Sequence, residues 1–249
     1  MKTKTLNKIA EITVLFWLMK IVATTLGETL GDFISMTLNL GYLTGIAITS
    51  VCFFALLYFQ LKTENYKPLL FWLVIIATTT FGTEISDFID RSLHLGYTLG
   101  SLILFSGLVI TLYLWYKKYN NLNVSPIIEY NKELYFWIAV LFSNSLGTAF
   151  GDYLSDVIGL TYWQGALITA AIIVVVILLH YATKLNEVLL FWLAFVFTRP
   201  FGATFGDFLT KPIAKGGLDL GTLQASIISI LVMLLLIYLS HKKIKKQLN

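Results

Sequence analysis

The stretch Gly27-Glu28-Thr29-Leu30-Gly31-Asp32-Phe33 occurs four times in variant form, each copy at a fixed distance from a Phe-Trp pair. The pairs are Phe16-Trp17, Phe71-Trp72, Phe136-Trp137 and Phe191-Trp192. Ten residues after each Trp stands a glycine: Gly27, Gly82, Gly147, Gly202. Fifteen residues after each Trp stands an aspartate, followed by an aromatic: Asp32-Phe33, Asp87-Phe88, Asp152-Tyr153, Asp207-Phe208. Spacing this strict defines a fourfold internal repeat, and a chain built this way folds as four copies of one supersecondary unit.

Each unit holds two apolar runs long enough to cross a bilayer, which takes about 20 residues per helix. Only 13% of the 249 residues are charged and 57% are hydrophobic, against roughly 25% charged in a soluble domain. The expected fold class is therefore all-α: a polytopic membrane protein of eight transmembrane helices, forming one membrane domain over 1–249. The repeats are expected at 10–61, 67–116, 132–182 and 187–240. Their helices are expected near 10–35, 41–61, 67–90, 96–116, 132–156, 162–182, 187–210 and 220–240. The first run follows Lys2, Lys4 and Lys8, as a signal peptide would, but it carries Lys20, Glu28 and Asp32 and is one copy of the repeat. It is read as a retained span.

Basic residues set the orientation. The N-terminus, the three loops between repeats and the C-terminus hold Lys2, Lys4, Lys8, Lys62, Lys67, Lys117, Lys118, Lys132, Lys184, Lys242, Lys243, Lys245 and Lys246. The turns inside the repeats hold Arg91, Lys211 and Lys215. The imbalance puts both termini in the cytoplasm, with the protein in the cell membrane. The net charge of +4 comes from residues flanking spans and is no sign of nucleic-acid binding. With an even number of helices per unit, all four repeats are parallel, related by an axis along the membrane normal. The longest loop, about 117–132, divides two halves, and a pseudo-twofold arrangement, loosely fourfold inside, is expected.

Four tandem two-helix repeats, each with a Trp early in the first helix and a Gly…Gly-Asp-(Phe/Tyr) end, resemble a family of bacterial integral membrane proteins of unknown function. The resemblance covers nearly the whole chain, and it implies the architecture and a bacterial membrane without an activity. The chain departs from the pattern at Ser86, where the other copies have Gly, and in a longer turn from Lys211 to Gly217. Glu28-Thr29-Leu30-Gly31-Asp32 also resembles the Glu-x-Gly-Asp motif of a family of cation/proton exchangers. Here the spacing is longer by one and the basic residue that follows is missing.

Ionisable residues inside a span normally face the bundle interior or a wet cavity. Lys20, Thr24, Glu28 and Asp32 recur every four residues and so keep to one slowly drifting helix face. Thr79, Glu84 and Asp87 follow in the second copy, Asn144 and Asp152 in the third, and Arg199, Thr204 and Asp207 in the fourth. Parallel packing brings the four Asp to one depth, with Glu28 and Glu84 about a turn away. Six carboxylates against Lys20 and Arg199 then need protons or a bound cation. Carboxylate and hydroxyl oxygens suit a hard divalent ion such as manganese. Glu28, Asp32, Glu84, Asp87, Asp152 and Asp207 are thus candidate metal residues, and Lys20 and Arg199 candidate charge-balancing or substrate residues. Thr24, Thr79, Asn144 and Thr204 are candidate polar lining.

The bland readings stay open beside these. From residue 11, Asp32 lies roughly 31 Å up a straight helix, near the edge of a ~30 Å core, where an Asp can cap a turn. The glycines can allow close helix packing or mark unwound segments. Pro200 can break its helix, and Arg199 can pair with Asp207 two turns on. The Trp residues fit an interfacial aromatic belt. The lone Cys52 excludes an internal disulfide. His94, His180 and His241 fall near the membrane surfaces, so a His-rich zinc site is not expected. No nucleophile–base pair, phosphate loop or HExxH stretch points to an enzyme, and no resident cofactor is expected. The expected function is transport of a divalent cation, by proton exchange. The alternatives are a non-transporting assembly or sensor protein, or an exporter of a small organic anion using Arg199. Lipid and an ion or small molecule are the expected partners; the oligomeric state is open.

Overall fold

The computed structural model describes residues 7–248. The side chains of His241, Lys243, Lys245 and Lys246, and all of Lys2 and Lys4, lie outside what is described. The described residues form eight membrane-length helices and no strand: α1 (Val14–Asp32), α2 (Gly41–Leu61), α3 (Pro68–Asp87), α4 (Gly96–Tyr119), α5 (Tyr130–Asp152), α6 (Tyr162–Ala182), α7 (Glu187–Thr210) and α8 (Thr222–Leu248). The boundaries follow local chemistry. Thr13 caps α1, its hydroxyl accepting from the Phe16 N–H (3.3 Å), so this helix starts four residues later than the apolar run suggested. Pro68 opens α3, where its missing N–H costs nothing. Thr161 and Gln164 form a capping box on α6, and Asn186 caps α7.

The first helix of each repeat lies inside and the second outside. The spans of α1, α3, α5 and α7 are 56–72% buried, whereas α2, α4, α6 and α8 are 22–28% buried. The inner helices close a ring in the order α1–α3–α5–α7–α1, and each outer helix leans on the inner helix of the next repeat: α2 on α3, α4 on α5, α6 on α7, α8 on α1. The expected pseudo-twofold is thus contained in a fuller cyclic arrangement, with the long loop between the halves bridged by the same kind of helix contact as every other step.

Glycine makes the ring tight. The glycine ten residues after each Trp meets the residue seven after the next Trp around the ring: Gly27 meets Thr79, Gly82 meets Asn144, Gly147 meets Arg199, and Gly202 meets Thr24. A methyl at Gly27 would overlap both the side chain and the backbone of Thr79. These glycines therefore serve close packing, and the helices are not unwound there. Hydroxyls bridge the same steps: Thr79 donates to the Ala23 carbonyl (3.1 Å) and Thr24 to the Thr198 carbonyl (3.4 Å). Gly27→Leu is expected to cost about 1–3 kcal/mol through overpacking. Ser106→Leu, on the exposed face of α4, should leave stability unchanged. Unfolding of the two variants in detergent compares them directly.

Two expectations are corrected by this packing. α7 runs unbroken from Glu187 through Pro200 to Thr210, and Gly147 across the ring leaves room for the proline ring beside Arg199. The Phe-Trp pairs form an interior collar, not a belt. Trp72 and Trp137 are fully buried and Trp192 nearly so. Phe16 meets Trp72 at 5.5 Å, Phe71 meets Trp137 at 5.6 Å, and Phe191 meets Trp17 at 5.7 Å. Seven- and four-residue steps share a helix face, so Trp72, Trp137 and Trp192 point to the same interior as the polar residues seven and eleven further on, while Trp17 is half-buried against the edge of this core.

Candidate functional site: a polar axis through the ring

The ring encloses a column of buried polar side chains, at levels set by distance from the Trp. Three residues on, at the collar end, is Lys20. Its Nζ donates to Asn144 Oδ1 (3.0 Å) and lies 4.0 Å over the Phe195 ring. The Asn144 amide passes the chain on to Thr78 Oγ1 (3.1 Å). Among the described residues no carboxylate pairs with Lys20, contrary to its expected role as a balance for the acids.

The seven-residue level holds Thr24, Thr79, Asn144 and Arg199, so three of the four expected lining residues share it with the arginine. The eleven-residue level holds Glu28, Thr83, Thr148 and Ala203. Arg199 reaches from the first level to the second. Its Nη2 donates to Glu28 Oε2 (2.7 Å), to Thr83 Oγ1 (2.7 Å) and to the Thr148 hydroxyl. The expected pairing of Arg199 with Asp207 is corrected: its partner is Glu28 in the first repeat, brought beside it where α7 closes on α1.

The fifteen-residue level is the aspartate ring. All four Asp are no more than 3% exposed. Asp32, Asp87 and Asp152 each precede a π-turn, closed by the Leu38 N–H to the Phe33 carbonyl (2.9 Å), Leu93 to Phe88 (2.9 Å) and Ile158 to Tyr153 (3.0 Å). None of the three caps a backbone N–H there, and Asp207 lies within α7. The capping reading is therefore overturned.

Two cations lie over this ring, and the sequence reading missed both by assigning them to outer turns. Arg91 spans repeats two and three: Nη2 is 3.0 Å from Asp152 Oδ2 and Nε is 3.4 Å from Asp87 Oδ1. Its Nη1 donates to the Tyr42 hydroxyl (3.1 Å). Lys211 spans repeats four and one: Nζ donates to Asp32 Oδ2 and stands 3.4 Å from Asp207 Oδ1. Both follow their own Asp by four residues, one helical turn, and that spacing was the available signal. Both stand nineteen residues after the Trp, in the even repeats only, and so the pseudo-twofold appears here. Burial by itself would lower the Lys211 ammonium, but Asp207 and Asp32 outweigh it and hold it well above the ordinary lysine value. With the folded value raised, the stabilisation by this pair is complete below about pH 10 and is lost only as pH climbs through the raised value. The melting temperature of Lys211→Met should therefore trail the wild type by a constant interval between neutral pH and mildly alkaline pH.

Glu28, Asp32 and Asp207 offer oxygens within 4.8 Å of one another. Asp87 and Asp152 lie outside this group and are paired by Arg91 instead. Glu84 does not join the cluster. It follows its Trp by twelve residues, not eleven, and the extra residue turns it by about 100° toward α2, where it packs on Gly45. Neither carboxylate oxygen of Glu84 has a hydrogen-bond partner. Thr204 shares that position and likewise faces an outer helix, its hydroxyl 3.0 Å from that of Thr169 on α6. Ser86, the departure from the glycine pattern, donates to Asp90 Oδ2 (3.2 Å). In the other copies Ser35, Ser155 and Thr210 bond back to the glycine carbonyl instead.

The fold and the buried column define a class: a multi-pass helical membrane protein of four cyclic two-helix repeats around a charged axis. A family model, Repeat of Unknown Function (DUF347), matches residues 15–66, 70–119, 135–186 and 190–243, and the chain belongs to that family. Comparisons with curated proteins and with solved structures found no match.

Proposed function

We propose that this protein is a transporter, not an enzyme, and that it exchanges a divalent cation, manganese first, for protons across a bacterial cell membrane. The observation that carries the reading is the buried Glu28–Asp32–Asp207 triad with Lys211 beside it. Lys211 acts as a tethered stand-in: its ammonium lies against Asp32 and Asp207 when the ion is absent and tips toward the rim, still within the charge balance of the site, when the ion enters. Its side chain is 22% exposed, at the rim of the ring, which leaves it a way out. Charge balance indicates the coupling. Glu28 and the four Asp face Arg199, Arg91 and Lys211, so five carboxylates meet three cations and two negative charges remain. One divalent ion or two protons complete the balance. A purely structural core would leave its buried polar atoms paired, whereas Glu84 and part of Arg199 have no partner. The orientation proposed is with both termini in the cytoplasm. Of the three basic residues in the opposite turns, Arg91 and Lys211 are spent on acids, which sharpens the charge bias.

Purified protein in sealed liposomes tests this with internal metal and pH dyes. Manganese entry is expected to drive two protons outward per ion, and to be indifferent to a clamped membrane potential. Liposomes that pass no divalent cation under either pH gradient would remove the reading. Lys211→Met is expected to bind the metal more tightly, because a competitor is gone, and to turn over more slowly, because nothing displaces the ion on release. Metal titration and flux on the same preparation separate the two effects.

A further inference from the structure

The collar half of the axis carries the opposite charge. Lys20 is fully buried, and its ammonium has three N–H groups against one hydrogen-bond acceptor, Asn144 Oδ1, and the face of the Phe195 ring. Arg199 is fully buried too; Nη2 makes all of its hydrogen bonds, and Nε and Nη1 have none. The two heads are adjacent. Lys20 bonds Asn144 and Arg199 bonds Thr148, one turn apart on the same face of α5, and Arg199 leaves its backbone at the Asn144 level. Its Nε, next along the stem, therefore lies on the Lys20 side of Glu28. Buried N–H donors on two cations without acceptors are costly, and a small anion held between them would satisfy both.

We propose that Lys20 and Arg199 form a buried binding site for a small monovalent anion, either a halide such as chloride or a one- or two-carbon carboxylate. The guanidinium presents its unpartnered Nε–H, the ammonium supplies a second charge, and Asn144 fixes the ammonium by its carbonyl side. The site shares Arg199 with the Glu28 pair but lies beyond Glu28 from the aspartate ring, so that Asp32 can be changed without touching it.

Thermal unfolding of the purified protein at constant ionic strength tests it, comparing chloride, nitrate, formate and acetate with the bulky anion gluconate. A bound anion raises the stability, and with it the melting temperature, by RT ln(1 + [L]/Kd). The wild type is expected to gain several degrees, rising with the logarithm of the anion concentration, in chloride or in formate, and the preferred salt distinguishes the halide from the carboxylate. Lys20→Met should lose that gain, and in gluconate should melt at least as high as the wild type, since it removes an unpaired buried cation. Asp32→Asn should keep the gain while losing cation flux, which separates this site from the transport reading. Chloride NMR line broadening by the unmutated protein, reversed by formate, supports the site without any variant. Equal melting of the wild type in every salt, no excess line broadening, or a gain that persists in Lys20→Met would overturn it.

Discussion

Arg199→Met is expected to destabilise the fold by about 3–5 kcal/mol, the range for breaking a buried ion pair by removing one partner. The guanidinium is fully buried, and the Glu28 carboxylate it holds is 3% exposed. Without it Glu28 keeps its desolvation cost and loses its counter-charge, and the Thr83 and Thr148 hydroxyls lose the donor they share. Arg199→Met combined with Glu28→Gln should recover most of the loss, since the amide carries no charge and can still bond Thr83. Arg199→Lys should recover little. A single ammonium cannot reproduce the reach of a planar guanidinium from the Asn144 level to three acceptors at the next. Unfolding of the wild type, Arg199→Met, Glu28→Gln and their combination in one detergent gives the double-mutant cycle; additive losses would mean that the pair is not the reason for either residue.

Asp32→Asn is expected to reduce divalent-cation flux on the order of 100-fold, the upper range for disturbing the groups that hold a metal. Asp32 is the point where the two halves of the site meet: it is one of the three triad carboxylates, and it accepts from Lys211. The amide lowers the charge of the triad by one and leaves Lys211 with Asp207 alone. Asp152→Asn is the informative comparison. It sits at the same depth with the same burial, but it lies outside the triad and is paired by Arg91 instead, so its effect on flux should be several-fold smaller. Initial rates of manganese entry into liposomes at matched protein density decide this. Equal losses in the two variants would return all four Asp to one equivalent ring.

Most of the architecture was legible. The distance from each Trp specified the depth of a residue, and the seven- and four-residue steps specified its face. The eight spans and the polar face of the first helix of each repeat followed from these; close packing of the glycines was one of two readings until the ring showed which helices meet there. Three charged residues and the Trp of the repeats were misread for reasons the same spacings contain. Glu84 was grouped with Glu28 because both are extra acids, although one added residue turns it to another face. Arg91 and Lys211 were counted as turn residues because they follow the span, although a four-residue offset from an Asp is a helical pair. The Trp residues were taken for an interfacial belt by type, although their register points inward.

What the chain determined alone is the repeated unit, because periodicity is a local property and each copy obeys it without reference to the others. What only the tertiary structure decided is the partner of each charge. Glu28 meets Arg199 across 171 positions and Asp32 meets Lys211 across 179, both where the fourth repeat closes on the first. Four copies with the same spacing are interchangeable by pattern. Ring closure decides which copies become neighbours, and so which acids are neutralised by a tethered cation and which remain for an ion.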